Sequence, residues 1–599
     1  MFNLDRNTVF SSLMGILIIS LVINCFTEIY NASVVFPVLG TLVVGGILVF
    51  SALFTRIASF LQLHWIDLMV GAGITCMIVD YLLGNSDLWQ LGCLCVLILY
   101  CILRLIRKIN YVVIYIGVML AAFLLATIGY LQLFKILPSG NSHFSITGYY
   151  HNPAVYAGVM SLLLCVIVGF IIYTFRYSFY RKIRNISYCL CVFCFPVFIC
   201  ADSRAAWVAL IVSVCWGILR IYRLQIRMLY KSYVPVMLVL LFALSLLASY
   251  GLYKYRPDSV DGRILIGKVG LEMIKNKPLT GFGAGGFAAN YMYYQARYLK
   301  EKGTEHEKYL AGSTHLAFNE PLRLLVEYGI AGLLIYVILI YYILQSRRNH
   351  LIIRLSQMLL MAILIWGLFA YPNRVFPIIL FTVLALALLV RLDKVKRKKV
   401  LLTSRCFVVI KVTFLYLVLL LGDGISNMLP DYHQLYLLTH SSPNTMSEKV
   451  LGEYDKLEHR MIDEIGFYYH YCLTLNRYRK DELLKEKLSF LTSRFPSPTV
   501  FVLKGDVHKR LKEFIEAEES YKMAHWMMPT LQTPRGKLAF LYQETGRKQE
   551  ALLLANELLT EKVKVYGFAT HDLHLKLEEV FSEQLTKSLI KKSKAYEKN

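Results

Sequence analysis

Apolar residues in this chain come in long unbroken runs rather than at alternating positions. Thirteen runs are expected to form helices: 9–27, 34–55, 64–84, 88–106, 110–133, 153–175, 186–201, 205–221, 233–252, 320–345, 350–371, 375–391 and 406–424. A helix crossing a bilayer core of about 30 Å needs roughly 20 apolar residues, and runs of this kind fit that length. The pattern therefore predicts an all-α fold, a polytopic transmembrane helical bundle of about 13 spans occupying residues 1–429. A long polar extracytoplasmic loop at 253–319 interrupts it. A C-terminal helical-repeat domain is expected at 430–590 and a disordered tail at 591–599.

The C-terminal part changes to amphipathic helical sequence, and from Pro498 it resembles the tetratricopeptide pattern. Gly505, Ala517, Tyr521, Ala524 and Pro529 sit at the expected offsets, and Tyr542, Gly546 and Ala551 fall in phase again thirty-four residues on. Residues 431–497 are read as degenerate helices completing the stack. Such a solenoid presents a surface for an acceptor or a protein partner, or else acts as a packing lid over the membrane domain.

Charge refines this picture. The chain of 599 residues is 57% hydrophobic with a formal net charge of +24. Residues 430–599 hold 26 Lys and Arg against 24 Asp and Glu, so nearly all of the excess lies in the membrane part. There it reads as an orientation signal rather than a nucleic-acid footprint. Alternate connections carry Arg56, Arg104, Arg107, Arg176, Arg184, Arg220, Arg227, Arg347, Arg348, Arg354 and the run from Arg391 to Arg405, whereas the opposite short loops hold little but Lys135, Arg204 and Arg374. The first set is expected in the cytoplasm, with the N-terminus. The long loop and the repeats are then expected on the opposite, extracytoplasmic side of a multi-pass membrane protein. The first apolar run is long and lacks a small-residue cleavage site, so it is read as an anchor. Twelve of thirteen cysteines lie in or beside spans, which argues for packing rather than a disulfide framework.

Candidate chemistry collects on the outer side. Helix centres are nearly free of ionisable residues, which counts against ion-coupled transport. Arg204, in ADSRAAW, stands where few positive residues are expected and needs an anionic ligand or a partner such as Asp202. Arg263 is expected to open an amphipathic helix with Ile264, Leu265, Val269, Leu271 and Ile274 on its apolar side, lying at a membrane interface. Gly281, Gly283 and Gly286 form a G-x-G-x-x-G that no strand precedes, so tight turns or close backbone approach to a ligand are expected rather than a dinucleotide. Asn319 is a candidate N-cap, with Glu320 and Pro321 in the first turn, and such helix starts favour anions. His315 titrates near neutral pH and suits proton transfer. His143, His151 and Asn152 in the preceding outer loop are candidates for substrate contact.

Three stretches in order, GYYHNPAVYAG at 148–158, ADSRAAW at 201–207 and residues 261–335 with NKPLTGFGAGGF and NEPLRLLVEYGIAGLL, resemble the superfamily of O-antigen ligases, O-antigen polymerases and protein O-oligosaccharyltransferases. Where the ligases carry a His before Asn, nine residues and G-x-x-G, this chain has Asn319, Gly329 and Gly332 but Phe318. His315, one helical turn earlier if the helix extends back, is taken to replace that histidine. The resemblance implies inverting transfer of a glycan from a polyprenyl-pyrophosphate donor to an acceptor hydroxyl, by an enzyme needing no cofactor, nucleotide or metal. Arg204 and Arg263 would hold the pyrophosphate and His315 would activate the acceptor. Asn319, Glu320, His151, Asn152 and Gly283 would contact substrate. The acceptor is left open among lipid A-core sugar, protein Ser or Thr, and a second lipid-linked glycan. A non-catalytic scaffold recruiting envelope proteins through its repeats is the alternative from another class, and a mid-membrane polar tunnel would favour a transporter.

Overall fold

The computed structural model describes residues 6–22, 46–47, 60–83, 88–106, 108–141, 143–150, 152–222, 257–346, 348–392, 399–401, 403–440, 449–461 and 464–581. The fold is all-α apart from one short antiparallel pairing of residues 60–62 with 399–401. The chain divides into two compact units. The first holds residues 1–246, 318–320 and 336–445, and the second holds 247–317, 321–335 and 446–599.

Unit one contains α1 (Arg6–Val22), α2 (Trp65–Leu82), α3 (Leu88–Leu105), α4 (Tyr111–Leu133), α5 (Pro153–Thr174), α6 (Arg181–Cys200) and α7 (Arg204–Ile221). Its later helices include α12 (Leu351–Gly367), α13 (Phe376–Leu392) and α14 (Ser404–His440). The second unit contains α8 (Pro257–Asn276), α9 (Gly286–Glu301), α10 (Glu305–Leu310) and, among the described residues, seven helices from 449 to 560, α15 to α21. Residues of α11 (Glu320–Gln345) fall in both. Seven of the described helices are long and apolar enough to cross a membrane, and shorter apolar helices lie at 8–20, 89–105, 351–367 and 376–392. The protein is a multi-pass membrane protein. Eleven of the thirteen expected spans thus coincide with apolar helices; 233–252 and, except for residues 46–47, 34–55 lie outside the described residues. The last span does not stop before Pro430: α14 continues through it to His440.

Glycine lets the helices of unit one approach closely. A side chain at Gly158 would lie 2.6 Å from Trp366, and one at Gly217 would lie 2.5 Å from Met358. Lipid offers no hydrophobic drive between helices, so van der Waals contact at small residues replaces it. Asp67 illustrates the cost of charge there. It accepts from Arg104 at 2.8 Å through both oxygens, from Tyr100 Oη at 2.7 Å and from the His64 N–H at 2.8 Å, so it is a structural ion pair.

Several of the arginines counted as orientation charges also satisfy helix C-termini. Arg184 donates to Thr174 O at 2.5 Å, Arg348 to Leu392 O at 2.7 Å and Arg391 to Leu103 O at 2.5 Å. Each meets carbonyls that have no partner within the helix, at its negative dipole end.

In unit two, α18 (Pro498–Arg510) packs on α19 (Phe514–Met527), and α20 (Gln532–Glu544) on α21 (Lys548–Thr560), the second pair starting thirty-four residues after the first. Gly505 admits the Tyr521 ring, and Ala517, Ala524 and Ala551 are fully buried. The long polar segment shares a core with these helices: Leu265, Val269, Met273 and Tyr291 are buried together with Phe501, Ala524 and Met527.

Candidate functional site

Within unit one, α5 and α7 run in the same direction. Cys165 Sγ lies 3.2 Å from Ser213 Oγ, and Tyr222 Oη donates to Ile172 O near the two C-termini. Their N-termini, at Asn152 and Arg204, are therefore at one end of the unit, opposite the ends of α3, α5 and α13 that arginines cap. Arg204 is the first residue of α7 and is half-buried. It follows Asp202, held at φ 48°, and Ser203 in extended backbone.

At the Asn152 end three segments meet. Asn152 caps α5 by accepting from the Ala154 N–H at 2.9 Å, and its Nδ2 donates to Tyr371 Oη at 3.0 Å. The Phe318 ring stands edge-on to Tyr371 with centroids 5.5 Å apart. Asn319 Nδ2 donates to Leu368 O at 3.0 Å, and Glu320, only 3% exposed, accepts from Asn373 Nδ2 at 2.9 Å. Three expected residues, Asn152, Asn319 and Glu320, are thus gathered around the α12–α13 connection. Tyr371 and Asn373 were not anticipated. YPNR at 371–374 between two apolar helices was the available signal, since short connections between rigid helices are where binding residues concentrate.

The glycine segment belongs to unit two and docks on helix α11. Helix α11 is broken at Gly329 (φ 61°, ψ −154°), a backbone region open to glycine alone. The break is filled by the loop: Phe282 N–H donates to Val326 O at 2.9 Å, Gly283 N–H to Glu327 O at 2.9 Å, and Ile330 N–H to Pro278 O at 3.1 Å. A Cβ at Gly281 would stand 2.4 Å from the Glu327 carbonyl, and one at Gly329 would stand 2.2 Å from Leu279 O. The close approach expected of these glycines is backbone to backbone. Glu327 is 2% exposed and is ion-paired with Arg323.

Arg263 lies in the second turn of α8, which begins at Pro257, and is exposed. The apolar side of this helix differs from the expectation. Leu265, Val269 and Met273 are buried while Ile264 and Leu271 are exposed, because residues four apart share the face that packs on α9. Lys268 on the same helix pairs with Glu307 at 2.7 Å. Burial would raise the Glu307 carboxyl, but Lys268 and the Thr304 N–H hold it below its usual range.

His315 is half-buried in the extended segment before α11, stacked on Phe495 with ring centroids 3.7 Å apart, its Nδ1 3.4 Å from Ala288 O. Burial pushes its pKa below the ordinary imidazole value against the opposing Ala288 contact, so the ring is neutral at pH 7. The helix does not extend back to it. Residues 311–317 are irregular, Phe318 takes φ 50°, and α11 starts at Glu320, so the one-turn relation between His315 and position 318 is absent. His151 lies outside the described residues. Gly283 is exposed at φ 85°. Arg204 belongs to unit one, Arg263 and His315 to unit two.

Residues 189–337 match the O-antigen ligase family model. This part of the chain is similar to an O-antigen ligase domain. The matched stretch includes Arg204, Arg263, the glycine loop docked on α11, His315, Asn319, Glu320 and the Gly329 break, and leaves Asn152, Tyr371 and Asn373 outside it. No curated protein matches the chain.

Proposed function

We propose that the protein transfers a glycan from a polyprenyl pyrophosphate to an acceptor hydroxyl at the outer face of the bacterial inner membrane. The observation that carries this reading is the polar end of unit one. There the start of the α7 helix at Arg204 shares an end with the Asn152–Tyr371 and Glu320–Asn373 pairs, opposite the end rich in capping arginines. By the positive-inside rule the arginine-capped end is cytoplasmic, which turns the polar end outward.

The acceptor oxygen attacks C1 of the first sugar, the C1–O bond to phosphate breaks, and its electron pair leaves on the pyrophosphate. Arg204 and Arg263 are assigned to the phosphate oxygens, because a guanidinium stays charged and binds them with a rigid fork. Each well-placed donor of this kind is worth about 3–4 kcal/mol. His315, neutral at working pH, takes the hydroxyl proton. A single displacement inverts the anomeric centre, and this sequence of steps uses no metal. The C-terminal helices, read as tetratricopeptide-like, favour a protein acceptor or partner over the lipid A-core, and polymerisation of lipid-linked glycans is the runner-up.

The test is deletion of the gene with parallel analysis of surface lipopolysaccharide and secreted glycoproteins, then complementation. Arg204→Ala and Arg263→Ala are each expected to reduce transfer by about 10²–10³-fold. Full transfer by both variants would overturn the reading, and would favour a scaffold if deletion of residues 446–599 still abolished the phenotype.

A further inference from the structure

A cavity of about 420 Å³ lies in unit two, between α10, the end of α19, the turn at 528–531, α20 and residues 557–564. Its size falls within the roughly 300–1,000 Å³ typical of small-molecule sites. Three buried polar atoms on its lining residues, His525 Nδ1, Thr530 Oγ1 and Arg535 Nε, have no hydrogen-bond partner among the described residues. Buried polar groups are ordinarily satisfied, so three around one cavity call for a ligand that hydrogen-bonds.

Most of the charges around it are already engaged. Arg535, 8% exposed, donates to Glu561 at 2.8 Å and to Glu557 at 3.2 Å, and Lys308 pairs with Glu305 at 2.8 Å. Lys564 donates to Tyr309 O at 2.5 Å. Burial and the neighbouring Arg535 charge push His525 down to about 4, so its ring is neutral and one nitrogen accepts. Two rings complete the lining, Trp526 with Lys308 5.9 Å from its centroid and Tyr309 with Lys564 at 4.7 Å. An anionic ligand would find Arg535, Lys308 and Lys564 already engaged, with Lys562 the remaining cation of the lining. What remains is a donor at Arg535, an acceptor at His525, a hydroxyl that is both at Thr530, and aromatic surface. Hydroxyl groups that donate and accept, set on a ring with C–H faces, match that set.

We propose that this cavity is a saccharide-binding subsite for uncharged sugar residues of the glycan carried by the lipid donor. It is built jointly by α10 of the ligase-matched stretch and by the C-terminal helices. This inference rests on the glycan-transfer reading for the source of the sugar. A peptide ligand is the competing occupant.

The experiment uses the full chain in lipid nanodiscs and, as probe, the oligosaccharide released by mild acid from the host's own polyprenyl-linked pool. Saturation-transfer NMR and titration read binding. Trp526→Ala is expected to weaken it about tenfold or more, and the near-isosteric Thr530→Val, which keeps the fold, several-fold. Arg297→Ala, which breaks an exposed pair outside the cavity lining, is expected to bind the probe as the wild type does. Failure of the wild type to bind the sugar, equal binding by all variants, or saturable binding of a peptide library in its place would each overturn the subsite. If the sugar binds but no transfer is measured, the glycan-transfer reading fails while the subsite stands. If transfer proceeds with unchanged KM in Thr530→Val and Trp526→Ala, the subsite fails alone.

Discussion

Unit one and unit two are both helical, yet their helices adhere for different reasons. The core of unit one is an apolar mass from Phe10 to Leu421 in which glycines set helix spacing and buried charge includes the Asp67–Arg104 pair, arginines on helix ends and Glu320 beside Asn373. Unit two buries one stripe per helix and dresses the rest with ion pairs such as Lys485–Glu513, Arg510–Asp481 and Lys537–Asp506. The difference follows from the solvent. Water drives apolar stripes together, whereas lipid does not, so membrane helices need intimate contact and satisfied polar atoms.

The sharpest way to break this comparison is Gly329→Ala. The glycine region is closed to alanine and the new Cβ would meet Leu279 O, so a loss of about 4 kcal/mol or more is expected, confined to unit two. Hydrogen exchange of α8 and α9 amides against those of α5 checks it.

Acid sharpens it further. His525 has a folded pKa of about 4, below its ordinary 6.5. The unfolded state therefore binds the proton first. Its stabilising contribution is complete above pH 6.5 and is lost as pH falls towards 4, amounting to about 3 kcal/mol. His315, also depressed, acts in the same direction. Hydrogen exchange of α19 amides from pH 7 to 4 should show the loss, and His525→Asn should flatten it.

In unit one, Gly158→Ala should cost about 1–3 kcal/mol by overpacking against Trp366, with the opening of α19 unchanged, read from thermal unfolding in detergent. The smallest effect is expected for Arg297→Ala. Its pair with Glu301 is largely exposed, and a Tm change within error, below about 0.5 kcal/mol, is expected.

Much of the architecture was legible because spans announce themselves by length and hydropathy alone. Two features were not. The helix start near His315 depended on whether Phe318 would accept a left-handed backbone, a choice made by packing on Tyr371 rather than by propensity. The glycine loop reads as a place of tight turns or of close backbone approach to a ligand, whereas the partner it meets in the structure, the main chain at Val326 and Glu327, is more than forty residues away and broadcasts nothing from its side chains.

By itself the sequence determined the membrane-spanning helices, their orientation signal, the ligase-like polar stretch and the phase of the C-terminal helix pairs. These are properties of local composition and period, which act over one or two turns. Tertiary structure alone decided that Asn152, Asn319 and Glu320 would gather around Tyr371 and Asn373, and that His525, Thr530 and Arg535 would line one cavity. Such meetings depend on which helix faces pack together, and that is an energy of the whole chain rather than of any segment.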